Sequence, residues 1–216
     1  MIELCLVSMD PEEIRCVTDV YPCNCFADNP TVAVRALESA DTSFFERSRE
    51  VRSLVGDDVK LYLEVMGDTT DEMVSDAQRI VAEVGGNTLV KIPACQEGYR
   101  ALERLRELGI RASCTAIFDV GQALLAARAG AVCVAVYVSR LDRQGSSGLG
   151  VVHQIRAAFD LHDIDCMVCA ASLKTACDVE QALLCGAQNV TVDLSLLEVM
   201  ASSPLGTSSV GFTQSK

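Results

Sequence analysis

Eight short apolar runs, set apart by segments with helical spacing, limit what this chain can fold into. The runs are ELCLVS (3–8), NCFA (24–27), KLYLEV (60–65), TLVKIP (88–93), RASCTAI (111–117), VCVAVYV (132–138), DCMVCAA (165–171) and NVTVDL (189–194). Each has the length and residue types of a buried strand. DEMVSDAQRIVAEVGG (71–86), EGYRALERLRELG (97–109), DVGQALLAARAG (119–130), GVVHQIRAAFDLH (150–162) and CDVEQALLCGAQ (177–188) carry apolar residues at helical spacing. Glycine near the end of such a segment supplies a helix stop, and acidic residues near the start suit the helix dipole. Strands alternating with helices imply parallel βαβ units. Eight units in 216 residues predict a single α/β domain, a (β/α)8 TIM barrel over residues 1–200, with a doubly wound open sheet as the alternative. Residues 201–216, ASSPLGTSSVGFTQSK, are rich in Ser, Thr and Gly and read as a polar C-terminal tail.

Composition narrows the function classes. A net charge of −12 and 5% aromatic residues with no Trp argue against nucleic-acid binding. No run is long and apolar enough to span a bilayer, and the first residues lack the basic start of a signal peptide. The eleven cysteines lie mostly in apolar runs and read as reduced core thiols of a cytoplasmic protein. CNC and the Cys166/Cys169 pair lack the further ligands that a closed zinc site needs, because His153 and His162 fall on one helical segment. No metal is expected.

Lys91 is the polar exception in the run 88–93. Burying its ammonium group is unfavourable unless it is paired or loses its proton. It could also snorkel at the strand end or pair structurally with a carboxylate. If Lys91 points into a barrel, its neighbours Val90 and Ile92 point out to the helices. The adjacent runs phase the same way. Leu61, Leu63 and Val65 face out and Glu64 faces in. Cys114 and Ala116 face out and Thr115 faces in. Val134, Val136 and Val138 face out and Tyr137 faces in. Four consecutive strands then each offer an inward polar group near the C-terminal end, the catalytic face of such barrels. A satisfied polar cluster without function is the alternative; convergence of these types favours a site. The chemistry they suggest is imine formation by a lysine whose charge burial disfavours, opposed by Glu64, with a water held by Thr115 and Tyr137. Further along, Arg140, Ser172 and Lys174 follow late strands and could form an anion site, or simply a solvated loop.

LVKIPACQEGYRALERL, CTAIFDVGQALLAARAGA, VAVYVSRLDRQGSSG and CAASLKT closely resemble the transaldolase family, nearest its fructose-6-phosphate aldolase branch, from about Ile2 to Met200. The resemblance implies a (β/α)8 barrel with a Schiff-base lysine on the fourth strand, matched by Lys91. It implies that Glu64, Thr115 and Tyr137 hold the catalytic water, and that Asn29 and Ser172 contact the sugar. It implies that Arg140 receives a phosphate. Tyr137 is the aldolase-type residue and Glu64 the transaldolase-type one. Two positions depart from the family pattern. Val7 stands where the first strand ends in Asp, which puts the usual donor site in doubt, and ADNP (27–30) replaces Thr-Thr-Asn-Pro, so that Asp28 is a candidate stand-in. The polar tail replaces a longer helix that packs on a neighbouring subunit. The expected activity is a class I aldolase acting on a ketose or ketose phosphate, without a cofactor. The alternatives are a transaldolase and a non-catalytic sugar-phosphate-binding relic. A homo-oligomer is implied, as the family forms rings of subunits.

Overall fold

A computed structural model gives the fold and describes residues 2–38 and 42–202. The expected tail from residue 203 onward lies outside the described residues. Eight parallel strands close into one barrel in chain order: β1 (Glu3–Val7), β2 (Cys25–Ala27), β3 (Lys60–Glu64), β4 (Thr88–Pro93), β5 (Ala112–Ile117), β6 (Cys133–Tyr137), β7 (Met167–Ala171) and β8 (Asn189–Val192). β1 pairs with both β2 and β8, which shuts the ring. All eight apolar runs are strands, and the closed barrel rules out the open sheet.

Among the described residues the helices are α1 (Pro11–Val20), α2 (Pro30–Glu38), α3 (Phe44–Val55), α4 (Thr70–Val84), α5 (Gln96–Glu107), α6 (Val120–Ala129), α7 (Val138–Arg143), α8 (Gly148–Leu161), α9 (Ala176–Leu184) and α10 (Leu194–Ala201). Local chemistry sets their ends. Thr69 begins α4 with a reciprocal capping box to Glu72, and Thr175 begins α9 with one to Asp178, so that orphan amides at each start are satisfied. Gly130 ends α6 in the left-handed region at φ 109°, a conformation open to a residue without Cβ.

Two layers of apolar packing divide at the strands. Outward side chains such as Leu61, Leu63, Val90, Ile92, Val134 and Val136 are fully buried against the helices. Inward side chains Cys5, Cys25, Tyr62 and Leu89 pack together inside the barrel, with Ala27 above them at the end of β2. The alternation expected around Lys91, Glu64 and Tyr137 is therefore present. It fails at one residue. Ala116 has φ 59° and lines the interior cavity rather than facing the helices, and the β5–β6 register shifts between Cys114 and Ile117. Ile117 takes the outward place instead, fully buried. One irregular residue is enough to break a period-2 pattern.

Candidate active site

The upper end of the barrel holds an open-mouthed cavity of about 820 Å³, bounded largely by the C-terminal ends of the strands and the segments that follow them. Its lining includes all seven residues singled out from the sequence: Lys91, Glu64, Thr115, Tyr137, Asn29, Arg140 and Ser172.

β4 carries Lys91 up the barrel wall, and the parallel register sets it beside Glu64, the last residue of β3. Lys91 Nζ donates to Glu64 Oε2 at 2.9 Å and to the backbone carbonyl of Asp28 at 2.5 Å. Asp28 Oδ1 lies 3.8 Å from the same ammonium. It also accepts the backbone N–H of Glu64 at 2.8 Å. Lys91 is 9% exposed and Asp28 2%. The ammonium thus sits between two carboxylates on neighbouring strands.

Burial pulls the Lys91 pKa down, and the charges of Asp28 and Glu64 push it up; the charges win and the net shift is upward. The desolvation expected from the sequence is present but outweighed. Burial raises Asp28 from 3.8 to about 7, against the pull of Lys91 and with the repulsion of Glu64. Two carboxylates share one cation, and Asp28, the more deeply buried, is the one pushed toward its neutral form.

On β5 and β6, the next two strands along the wall from Lys91, Thr115 Oγ1 and Tyr137 Oη form a hydrogen bond of 3.0 Å. Phe118 meets the Tyr137 ring edge-on at 6.0 Å. No hydrogen bond joins this pair to Lys91 and Glu64 among the described residues, yet Tyr137 acts electrostatically on Lys91. Nucleophile and hydroxyls therefore line one cavity, which is large enough for a substrate.

The mouth carries the remaining candidates. Asn29 caps α2: its Oδ1 accepts the N–H of Val32 at 2.9 Å, which leaves its amide N–H groups for the cavity. Arg140 lies in α7, a short helix that the sequence reading did not separate from its loop. Its guanidinium stacks 4.6 Å above the Tyr137 ring. Ser172 sits at φ 62° with its hydroxyl 2.7 Å from that of Ser139. Arg35 and Lys174 also border the cavity, so the mouth is rich in cations where an anionic group would enter. Val7 faces inward at the top of β1, paired in register with Ala27, and offers the cavity only a methyl-bearing surface. Asp10, the other acid near β1, is spent on capping α1 through the N–H of Glu12 at 2.9 Å.

The sequence reading underweighted Asp28 and missed Ser139 and Ala116. Only Asp28 had a signal, the acidic residue in ADNP one place beyond a strand. Among the described residues no cluster of His, Cys, Asp and Glu could hold a metal ion, and no helix is long and apolar enough to cross a membrane.

The barrel is similar to thiamine phosphate pyrophosphorylase from Pyrococcus furiosus, with a TM-score of 0.62 over 93% of this chain and 94% of that one. At 14% identity the likeness concerns the fold alone. A probable fructose-6-phosphate aldolase of Streptococcus pneumoniae is 30% identical over 203 residues, 94% of this chain and 90% of its own length. The family model described as Transaldolase/Fructose-6-phosphate aldolase matches residues 5–215. With an aldolase-type relative aligned nearly end to end, the chain belongs to the transaldolase/fructose-6-phosphate aldolase family.

Proposed function

We propose that this protein is a class I aldolase that cleaves or forms a carbon–carbon bond in a ketose or ketose phosphate through an imine on Lys91. One observation carries the reading. Lys91 is buried, lines the cavity at the top of the barrel, is held by a carboxylate at 2.9 Å, and shares that cavity with a hydrogen-bonded hydroxyl pair. Lys91 passes its proton to a neighbouring carboxylate and attacks the ketone carbonyl. The carbinolamine then loses water to give the iminium, an electron sink for the bond that breaks. Glu64 takes and returns protons during these steps, and Thr115 and Tyr137 orient the water. Asn29 and Ser172 hydrogen-bond the sugar, and Arg140 receives the phosphate. No cofactor takes part.

The relative named for fructose 6-phosphate cleavage suggests that sugar phosphate as the first substrate to try. Val7 makes one side of the donor pocket apolar, which suits a methyl ketone such as hydroxyacetone as well as dihydroxyacetone. We place the enzyme in the cytoplasm as a homo-oligomer; native mass spectrometry gives the subunit number.

The test is borohydride reduction in the presence of dihydroxyacetone, hydroxyacetone or fructose 6-phosphate, followed by peptide mass spectrometry. The expected result is a reduced adduct on the peptide that contains Lys91. An adduct on Lys174, or none with any of these ketones, overturns the reading. Glu64, the transaldolase-type residue, favours one second outcome. If the wild type passes its three-carbon unit to an acceptor aldehyde and releases little free ketone, it is a transaldolase.

A further inference from the structure

The scheme above leaves one buried group of the cavity without a task. Asp28 stands directly after β2, 2% exposed, with its backbone carbonyl on Lys91 Nζ and its Oδ1 on the Glu64 amide. Glu64 already spends Oε2 on the lysine. Oδ2 of Asp28 accepts no hydrogen bond from another of the described residues, and the residue lines the cavity. At the same height β1 supplies only Val7.

We propose that Asp28 is the carboxylate that takes the proton from the substrate hydroxyl next to the bond that breaks. This deepens the imine reading and rests on it. The step balances within the site. With the substrate held as an iminium on Lys91, Asp28 accepts the hydroxyl proton. The O–H electron pair becomes the new C=O bond of the leaving aldehyde. The electron pair of the broken carbon–carbon bond forms the enamine, and the nitrogen takes up that charge. In the synthetic direction Asp28 returns the proton to the new alkoxide. No oxidant, metal or further reactant is required.

Electrostatics suit the task. Burial, the largest influence, lifts Asp28 to about 7 against the pull of Lys91. A base poised near the working pH transfers protons efficiently in both directions. The charged groups acting on it are Lys91 from β4 and Glu64 from β3. Tyr62 and Cys25 lie lower in the barrel, Val7 on β1 is neutral, and Arg35 stands off at the mouth.

Two readouts separate this proposal from the reading beneath it. In the wild type, cleavage of fructose 6-phosphate should rise with pH through a limb near 7, whereas borohydride trapping of hydroxyacetone, which breaks no carbon–carbon bond, should lack that limb. Asp28→Asn should still give the Lys91 adduct but lose cleavage by about 10²–10⁴-fold, and its residual rate should have no limb near 7. Asp28→Glu should restore part of the rate and a limb. The same limb in trapping and cleavage, cleavage in Asp28→Asn within threefold of wild type, or loss of trapping in step with cleavage would each overturn it; the last would mean that Asp28 only holds Lys91 in place. Failure of the wild type to form any adduct would end the imine reading and this proposal with it, and is seen before any variant is made.

Discussion

Two lysine–glutamate pairs occupy the same barrel at opposite ends. At the floor, Lys60 on β3 is paired with Glu3 on β1. Glu3 also accepts from Asn189 Nδ2 at 2.7 Å and from Tyr62 Oη at 3.2 Å. At the top, Lys91 pairs with Glu64 and stands beside Asp28. The floor is closed: both Glu3 oxygens are taken, and the Lys60 side chain, 30% exposed, reaches water. The top is left open in charge and in space. It has two carboxylates to one ammonium, one of them holding its proton to about pH 7, and a cavity in front of them. A buried ion pair is weak evidence of function, since pairing alone offsets desolvation at best. The second carboxylate at the top is what distinguishes a reactive pair from a structural one.

The largest effect should come from exchanging each lysine. Lys91→Met should abolish the borohydride adduct and the aldolase activity, while Lys60→Met should leave the adduct in place. An adduct that survives Lys91→Met breaks the comparison, and mass spectrometry decides.

Next comes the pH dependence of stability. Folded Asp28 holds its proton to about pH 7, against an ordinary value of 3.8. Between these values the folded state binds more protons than the unfolded one, so stability falls as pH rises through the window. The loss from this group amounts to a few kcal/mol over the three-unit span, at about 1.4 kcal/mol per unit. Denaturant titrations from pH 4 to 8 should show the slope in the wild type and its disappearance in Asp28→Asn.

Glu3→Gln tests the floor. It weakens the contacts with Lys60, Tyr62 and Asn189, and a lost charged hydrogen bond costs about 1.5–3 kcal/mol. Urea melts should show that loss with trapping unchanged. A fall in trapping would mean that the two ends are coupled.

At the mouth, Arg140→Ala should raise KM for a phosphorylated acceptor by about ten- to a hundredfold relative to its unphosphorylated analogue, the equivalent of one charge-assisted contact. Steady-state kinetics on the two acceptors check it, and equal effects would show that no phosphate binds there. The smallest effect belongs to Tyr137→Phe. Loss of its bond to Thr115 should cost about 1 kcal/mol in a thermal melt. The partition between released and transferred donor, read by product analysis, should shift toward transfer.

The floor and the top were not equally legible from sequence. Lys91, Glu64, Thr115 and Tyr137 stood out because each is a polar break in an apolar alternating run, and a closed parallel barrel converts that alternation into facing. Lys60 and Glu3 open their strands, where polar residues are ordinary, so the floor network carried no signal. Asp28 lies one step past a three-residue strand, where alternation cannot be read with assurance. Ala116 shows the limit in the other direction. Its run alternates well, yet a positive φ and a register shift turn it inward, and nothing in an alanine announces that. α3 was obscured for a different reason: its buried face includes Arg47 and Arg52, which read as solvent-facing until their partners are known. One such partner, Thr88, lies 36 residues away in the chain and accepts from Arg52 at 3.0 Å.

The ring closure between β1 and β8 also orders events in time. Asn189 reaches Glu3 across 186 residues of chain, a contact that cannot form until the eighth strand has been made. The entropy of closing so long a loop grows only slowly with length, but the closing contact has to wait for its last strand, and topologies dominated by such distant pairings fold slowly. Lys91, Glu64 and Asp28 come from β2 to β4 and their junctions, and a ribosome delivers all three before it has made half of the barrel. Until β8 arrives, the wall that carries Val7 has one neighbour instead of two, and the lysine and its surplus carboxylate stand in water. The nascent chain therefore carries its reactive groups long before it has a chamber in which they can react.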